Sequence, residues 1–158
     1  LIAAYTGMRL SEVCALTKNS IMYDEEGNIP YIDIEKGKTE AAVRKVPISN
    51  KLREVGLIEY LNNLREQQLF TKKTDLVTED LKKTRELLSI PHENDYGQRR
   101  VFHSFRHSFI TKARAKGVTN EQLQKLVGHE IPKSPTTDRY VGGFEVKDLV
   151  YIVDCVDW

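Results

Sequence analysis

The sequence predicts a mostly helical α+β domain with one small three-stranded antiparallel sheet. Three observations predict it. Between residues 21 and 48, three short β-like runs are separated by turn signals. On both sides of them, apolar residues recur at helical spacing. The 158 residues, 40% hydrophobic and 30% charged, suffice for one domain with a real core.

Taken in order, Leu1 to Tyr5 reads as helix, Thr6-Gly7 as a break, and Ser11 to Thr17 as a second helix. The strands are Ile21–Tyr23, Ile29–Ile34 and Val43–Ile48, divided by the Glu26-Gly27-Asn28 turn and the Lys36–Ala42 loop. Asn50 is placed to cap a helix from Lys51 to about Leu64, with Leu52, Val55 and Leu61 on its apolar stripe. Thr78 to Leu88 follows as helix, then Ser104 to Lys116, which stops at Gly117. Thr119 and Gln122 form a capping box, with Val118 and Leu123 as its hydrophobic staple, and that helix ends at Gly128. Ile131 to Pro135 reads as loop and Asp138–Val141 as a short helix. The last helix, Glu145 to about Asp157, aligns Val146, Leu149, Val150, Val153 and Val156 on one face. That face suits either the domain's own core or a neighbouring protein.

Several classes drop out on composition. No apolar run approaches the roughly 18–20 residues of a membrane span, and no basic-then-apolar leader opens the chain. Cys14 and Cys155 are too few for a disulfide framework or a cysteine metal cluster, which predicts a reducing compartment. The chain starts at Leu1 inside a helix, which predicts a fragment with N-terminal sequence missing.

The net charge is only +1, but it is unevenly spread. Tyr96 to Asn120 has no acid and carries Arg99, Arg100, Arg106, Lys112, Arg114 and Lys116. Lys36 to Arg53 includes Lys38, Arg44, Lys45 and Lys51 against Glu40 alone. Acids gather at Asp24 to Glu26 and in the C-terminal helix. One positive face would attract a polyanion; the alternative is ordinary solvated surface.

Candidate chemistry follows from side-chain type and spacing. His103 and His107 share a helix face and could bind a metal. A zinc protease, however, has Glu where Ser104 stands, and no Cys lies nearby, so no metal is expected. His103 and Arg106, three apart, can instead reach one small anion together. Arg9 sits at a helix start, where the dipole disfavours a cation unless an anion joins it. Glu12 could hold its guanidinium, or the two could be a plain surface pair. Lys38 can project from the hairpin as an acid if nearby cations lower its pKa. Tyr140 is a poor nucleophile unless cations stabilise its phenolate.

These pieces also occur in a telling order: T-G-M-R-L-S-E-V at Thr6–Val13, K-T-x4-R-x-V-P-I at Lys38–Ile48, H-S-F-R-H at His103–His107, L-V-G-H at Leu126–His129, then Arg139-Tyr140. In this the chain resembles the catalytic domain of tyrosine recombinases of the phage-integrase type, from Thr6 to about Gly142. Tyr140 is followed by Val141-Gly142 where the family usually has Tyr-x-His, and the His129 to Tyr140 interval is slightly long.

The resemblance implies that Arg9 and Arg106 clamp a DNA phosphate, that Lys38 is the hairpin acid, and that Tyr140 is the nucleophile. It places His103 and His129 in the two histidine positions, with Glu12 and His107 in support. Lys36, Arg44, Arg99, Arg100 and Lys112 are then expected as DNA contacts. It implies residues 1–158 as a single catalytic domain lacking its N-terminal DNA-binding partner. Strand exchange through a 3′-phosphotyrosyl link needs neither metal nor ATP, and no cofactor is expected. Partners would be double-stranded DNA and further copies of the chain, as a tetramer for which helix 145–157 is a candidate contact. The location would be the cytoplasm of a bacterial or phage-infected cell, at the nucleoid. A type IB topoisomerase-like relaxing enzyme, a non-catalytic DNA-binding module and a histidine-metal hydrolase remain the alternatives.

Overall fold

A short sheet and the C-terminal helix packed against its third strand frame the chain. The computed structural model describes residues 1–25, 28–37, 39–65, 67–71, 73–129 and 144–158. Lys38, Tyr140, the Ile131–Pro135 loop and the Asp138–Val141 helix lie outside the described residues. No described helix is long and apolar enough to cross a membrane.

Helix α1 (Ile2–Thr6) buries Ile2, Ala3, Ala4 and Thr6 and stops at Gly7, whose φ of 65° takes the chain into the left-handed region. Helix α2 (Leu10–Cys14) starts at once from Arg9. Strands β1 (Ile21–Tyr23), β2 (Pro30–Ile34) and β3 (Arg44–Pro47) form an antiparallel sheet in sequence order. Ile32 stands opposite Ile21 on one side and Val46 on the other, and both Ile32 and Val46 are fully buried.

The single helix expected after the sheet is two: α3 (Asn50–Glu54) and α4 (Leu57–Asn62). Gly56, at φ 78°, turns the chain between them. The cap is Ser49, not Asn50: the Ser49 hydroxyl accepts from the Leu52 N–H at 3.3 Å. Asn50 instead donates from its backbone and side chain to Asp154, at 2.7 and 2.9 Å. Helix α5 (Thr74–Leu87) starts earlier than its apolar pattern suggests and buries none of its residues. Helices α6 (His103–Ala115) and α7 (Asn120–Val127) meet at the Gly117 turn, and the Thr119/Gln122 capping box is formed.

Helix α8 (Val146–Asp154) buries Val146, Leu149, Ile152 and Val153 against β3 and α1. Ile152 takes the place expected for Val150, which is half-buried. The apolar face that could have seated a neighbouring protomer is therefore occupied within the chain's own core. Beyond it, the Trp158 indole donates to the Ala4 carbonyl at 3.1 Å and packs beside Phe105, tying the chain end to α1 and α6.

Burial on α8 sets an expectation. Ile152→Ala should cost about 3 kcal/mol of stability, as for other large-to-small core changes, and Val150→Ala clearly less. Urea unfolding of the two variants checks this.

Candidate active site

The turn after α1 brings the first charged group into place. A Cβ at Gly7 would lie 2.8 Å from Cδ1 of Phe109 on α6 and 3.2 Å from Cγ1 of Val127 on α7. Only glycine lets this backbone approach both helices. The carbonyl of Gly7 then accepts from Nη1 of Arg106 at 2.7 Å.

Arg106 projects from the buried face of α6 and is 1% exposed. Its Nε and Nη2 are buried without a hydrogen-bond partner among the described residues. Buried polar groups are nearly always partnered, so two free guanidinium donors in one place mark a receptor for an anion. Burial, then the neighbouring charges of Arg9 and Arg44, lower the Arg106 pKa to about 10, against a smaller opposing pull from Glu12.

Arg9 reaches the same place from the start of α2. Its backbone N–H donates to Oε2 of Glu12 and its Nη1 to Oε1, each at 2.8 Å. Its Nη2 donates to the carbonyl of Gly128, at the end of α7, at 2.8 Å. Burial would raise the Glu12 carboxyl, but hydrogen bonds and charge from Arg44, then the bonds from Arg9, hold it at about 2. Glu12 is thus an anchored carboxylate with no spare affinity for a proton.

The histidines line the same field. The rings of His103 and His107 meet edge to face at 4.8 Å. Burial, then His107, Arg106 and Arg9, lower the His103 pKa below its ordinary value. His129 is lowered by burial, then by Arg106, Arg9, His103 and His107. Both are therefore neutral at neutral pH, able to accept or donate one proton. Among the described residues no group of three or more His, Cys, Asp and Glu side chains could hold a metal ion.

The structure thus brings Arg9, Glu12, His103, Arg106, His107 and His129 together; Lys38 and Tyr140 lie outside the described residues. The expected DNA contacts divide. Lys36 and Arg99 are exposed. Arg100 turns its Nη1 into its own loop, donating to the carbonyls of Pro91 (3.1 Å) and Glu93. Lys112 holds its ammonium 5.3 Å from the centre of the Trp158 ring.

Arg44 departs most from expectation. Its side chain is 1% exposed and ion-paired to Glu12 at 2.9 Å, and all three guanidinium nitrogens donate within the protein, so it is buried away from a DNA phosphate. A signal for this was present: on β3, Arg44 is in phase with the buried Val46, while Lys45 between them is exposed.

Comparison with known proteins bears on the family and the fold. The profile of the Phage integrase family matches residues 1–143. A tyrosine recombinase XerC of Rickettsia peacockii (strain Rustic) is 29% identical over 141 residues, covering 85% of this chain and 43% of that protein. The XerC of Rickettsia canadensis (strain McKiel) is 28% identical over 153 residues, covering 93% and 46%. The chain thus spans less than half the length of these relatives. The fold matches a crystal structure of XerA recombinase with a TM-score of 0.59 at 21% identity, over 94% of this chain and 51% of that one.

Glu12→Gln removes the carboxylate from between two arginines and leaves Arg44 buried without its counter-charge. The expected loss is about 3 kcal/mol. The Glu12 carboxyl is depressed in the fold, so its contribution is full above its ordinary value of 4.5 and lost as pH falls toward 2. Urea melts across that range should show a steeper acid loss in the wild type than in the variant.

Proposed function

We propose, on the premise that the chain belongs to the Phage integrase family, that it is the catalytic domain of a site-specific DNA recombinase. It cleaves and rejoins DNA through a 3′-phosphotyrosyl intermediate. The observation that carries this reading is Arg106, buried with two donors unpartnered among the described residues, beside Arg9, while the Glu12 carboxylate is already engaged. That geometry suits one phosphate of a DNA backbone.

In the proposed reaction, the Tyr140 hydroxyl oxygen attacks the phosphorus and the bond to the 5′-oxygen breaks. The tyrosine proton passes toward His103, which is neutral and free to take it. Lys38 gives a proton to the departing 5′-oxygen. Arg9 and Arg106 stabilise the added negative charge of the five-coordinate transition state, and His129 donates a hydrogen bond to a phosphate oxygen. In the return step a 5′-hydroxyl attacks the phosphotyrosine. Its proton goes to Lys38, and the proton held near His103 returns to Tyr140. The energy of the broken phosphodiester stays in the phosphotyrosyl bond, so the cycle closes without ATP.

Exchange between two duplexes requires the incoming 5′-hydroxyl of another strand, so the reading includes several copies of the chain acting together on DNA, four on a paired site. With the apolar face of α8 occupied in cis, their contacts would use other surfaces. A bacterial or phage-infected cytoplasm, where such DNA resides, is the matching location.

A nicked suicide duplex bearing the recombination site tests the reading. Wild-type protein should form a covalent adduct, and Tyr140→Phe none. Site-independent relaxation of supercoiled plasmid by single copies would instead indicate a topoisomerase-like enzyme. Arg106→Met should slow adduct formation by about 10²- to 10³-fold, as loss of one preorganised charge donor does elsewhere. Because His103 acts neutral and its pKa lies below 6.5, the adduct rate should hold near neutral pH and fall only as the medium is acidified below that value. A pH–rate series on the same duplex shows where the acid limb lies.

A further inference from the structure

Arg44 is a cation of this cluster that the proposed reaction does not use. Each of its three guanidinium nitrogens donates within the protein. Nε donates to the Leu126 carbonyl at 2.8 Å. Nη1 donates to the Ala42 carbonyl at 2.8 Å and to Oε1 of Glu12 at 3.0 Å. Nη2 donates to Oε2 of Glu12 at 2.9 Å. These acceptors lie on three separate parts of the fold: the last turn of α7, the turn before β3, and α2.

Two of those links lead to other residues of the site. The Leu126 carbonyl belongs to the last turn of α7, where carbonyls lack partners within the helix and the dipole favours a cation. Gly128 packs on the same guanidinium: at φ 70°, a Cβ there would lie 2.8 Å from Nη1 and 3.1 Å from Cδ of Arg44, and 2.7 Å from the Ala41 carbonyl. The end of α7, from which His129 follows, therefore rests on Arg44. Through Glu12 the second link reaches Arg9, since the two carboxylate oxygens that accept from Arg44 are the two that accept from Arg9.

We infer that Arg44 is a positioning residue of the active site: it fixes Arg9 through Glu12 and His129 through the end of α7, and so sets both against Arg106 without touching DNA. The inference rests on the phosphoryl-transfer reading above. A lysine cannot substitute. One point charge cannot address the Leu126 carbonyl, the Ala42 carbonyl and both Glu12 oxygens from a single plane.

The test compares wild type, Arg44→Lys and the double variant Glu12→Met/Arg44→Met in melting temperature, duplex affinity and single-turnover adduct rate on the suicide duplex. Arg44→Lys should bind the duplex nearly as well as wild type but form adduct about 10²-fold more slowly, the scale of a misplaced catalytic group. The double variant removes both buried charges at once, which is often close to neutral for stability, so it keeps the test valid if Arg44→Lys folds poorly. Its melting temperature should recover while its adduct rate stays low. Recovery of rate together with melting temperature, or a wild-type rate in Arg44→Lys, would overturn the inference.

A readout independent of catalysis is the ¹⁵N spectrum of the Arg9 guanidinium. It should show hindered rotation in the wild type and averaged signals in Arg44→Lys; unchanged signals would overturn the positioning role. If wild type forms no adduct on its site, the recombinase reading falls, and this spectrum still decides whether Arg44 holds Arg9.

Discussion

A single carboxylate, Glu12, gripped by two guanidinium groups, is the constraint on which the site depends. It comes from α2, accepts from Arg9 of the same turn and from Arg44 of β3, and sits 10% exposed between them. Glu12 supplies the counter-charge that offsets taking Arg44 out of water, and Arg44, then Arg9, keep Glu12 ionised. The pair joins the sheet to α2. A carbonyl bond from each of its arginines, to Leu126 and to Gly128, adds α7. Arg106 enters from α6 through the Gly7 carbonyl. Four elements distant in sequence are thus held at one point by polar contacts, each with a definite direction and length.

The arrangement leaves charge unbalanced. Among the described residues, three buried or half-buried arginines face one carboxylate, and burial first, then the charges of Arg9 and Arg44, depress the pKa of Arg106, the least partnered of them. A protein selected for stability alone would have paired or removed that group. Functional sites are where such costs are retained, because the missing partner is supplied by substrate. The two glycines serve the same end. Gly7 and Gly128 let backbone carbonyls approach Arg106 and Arg9 where any side chain would collide with Phe109, Ala41 or Arg44.

Much of this was legible in the sequence, for physical reasons. The three strands, the Gly117 and Gly128 stops and the Thr119 box follow from local chemistry that tertiary contacts did not override. Arg9–Glu12 and His103–Arg106 were visible because helical spacing alone brings them together. What escaped depended on distant partners. Asn50 looked like a cap, but Asp154 claims it and Ser49 caps instead. Gly56 divided a helix that its apolar stripe made look continuous. Arg44 read as a surface cation because nothing near it in sequence announces Glu12, 32 positions away. The C-terminal helix offered an apolar face whose destination no local pattern could decide, and its own core took it.

The central claim is that Arg106 holds two donors ready for an anion, and melting in phosphate tests it most directly. At constant ionic strength, replacing chloride by inorganic phosphate should raise the melting temperature of the wild type, since a ligand that binds only the folded state stabilises it. Arg106→Met should show no such rise. An equal rise in both proteins, or none in the wild type, would contradict the account.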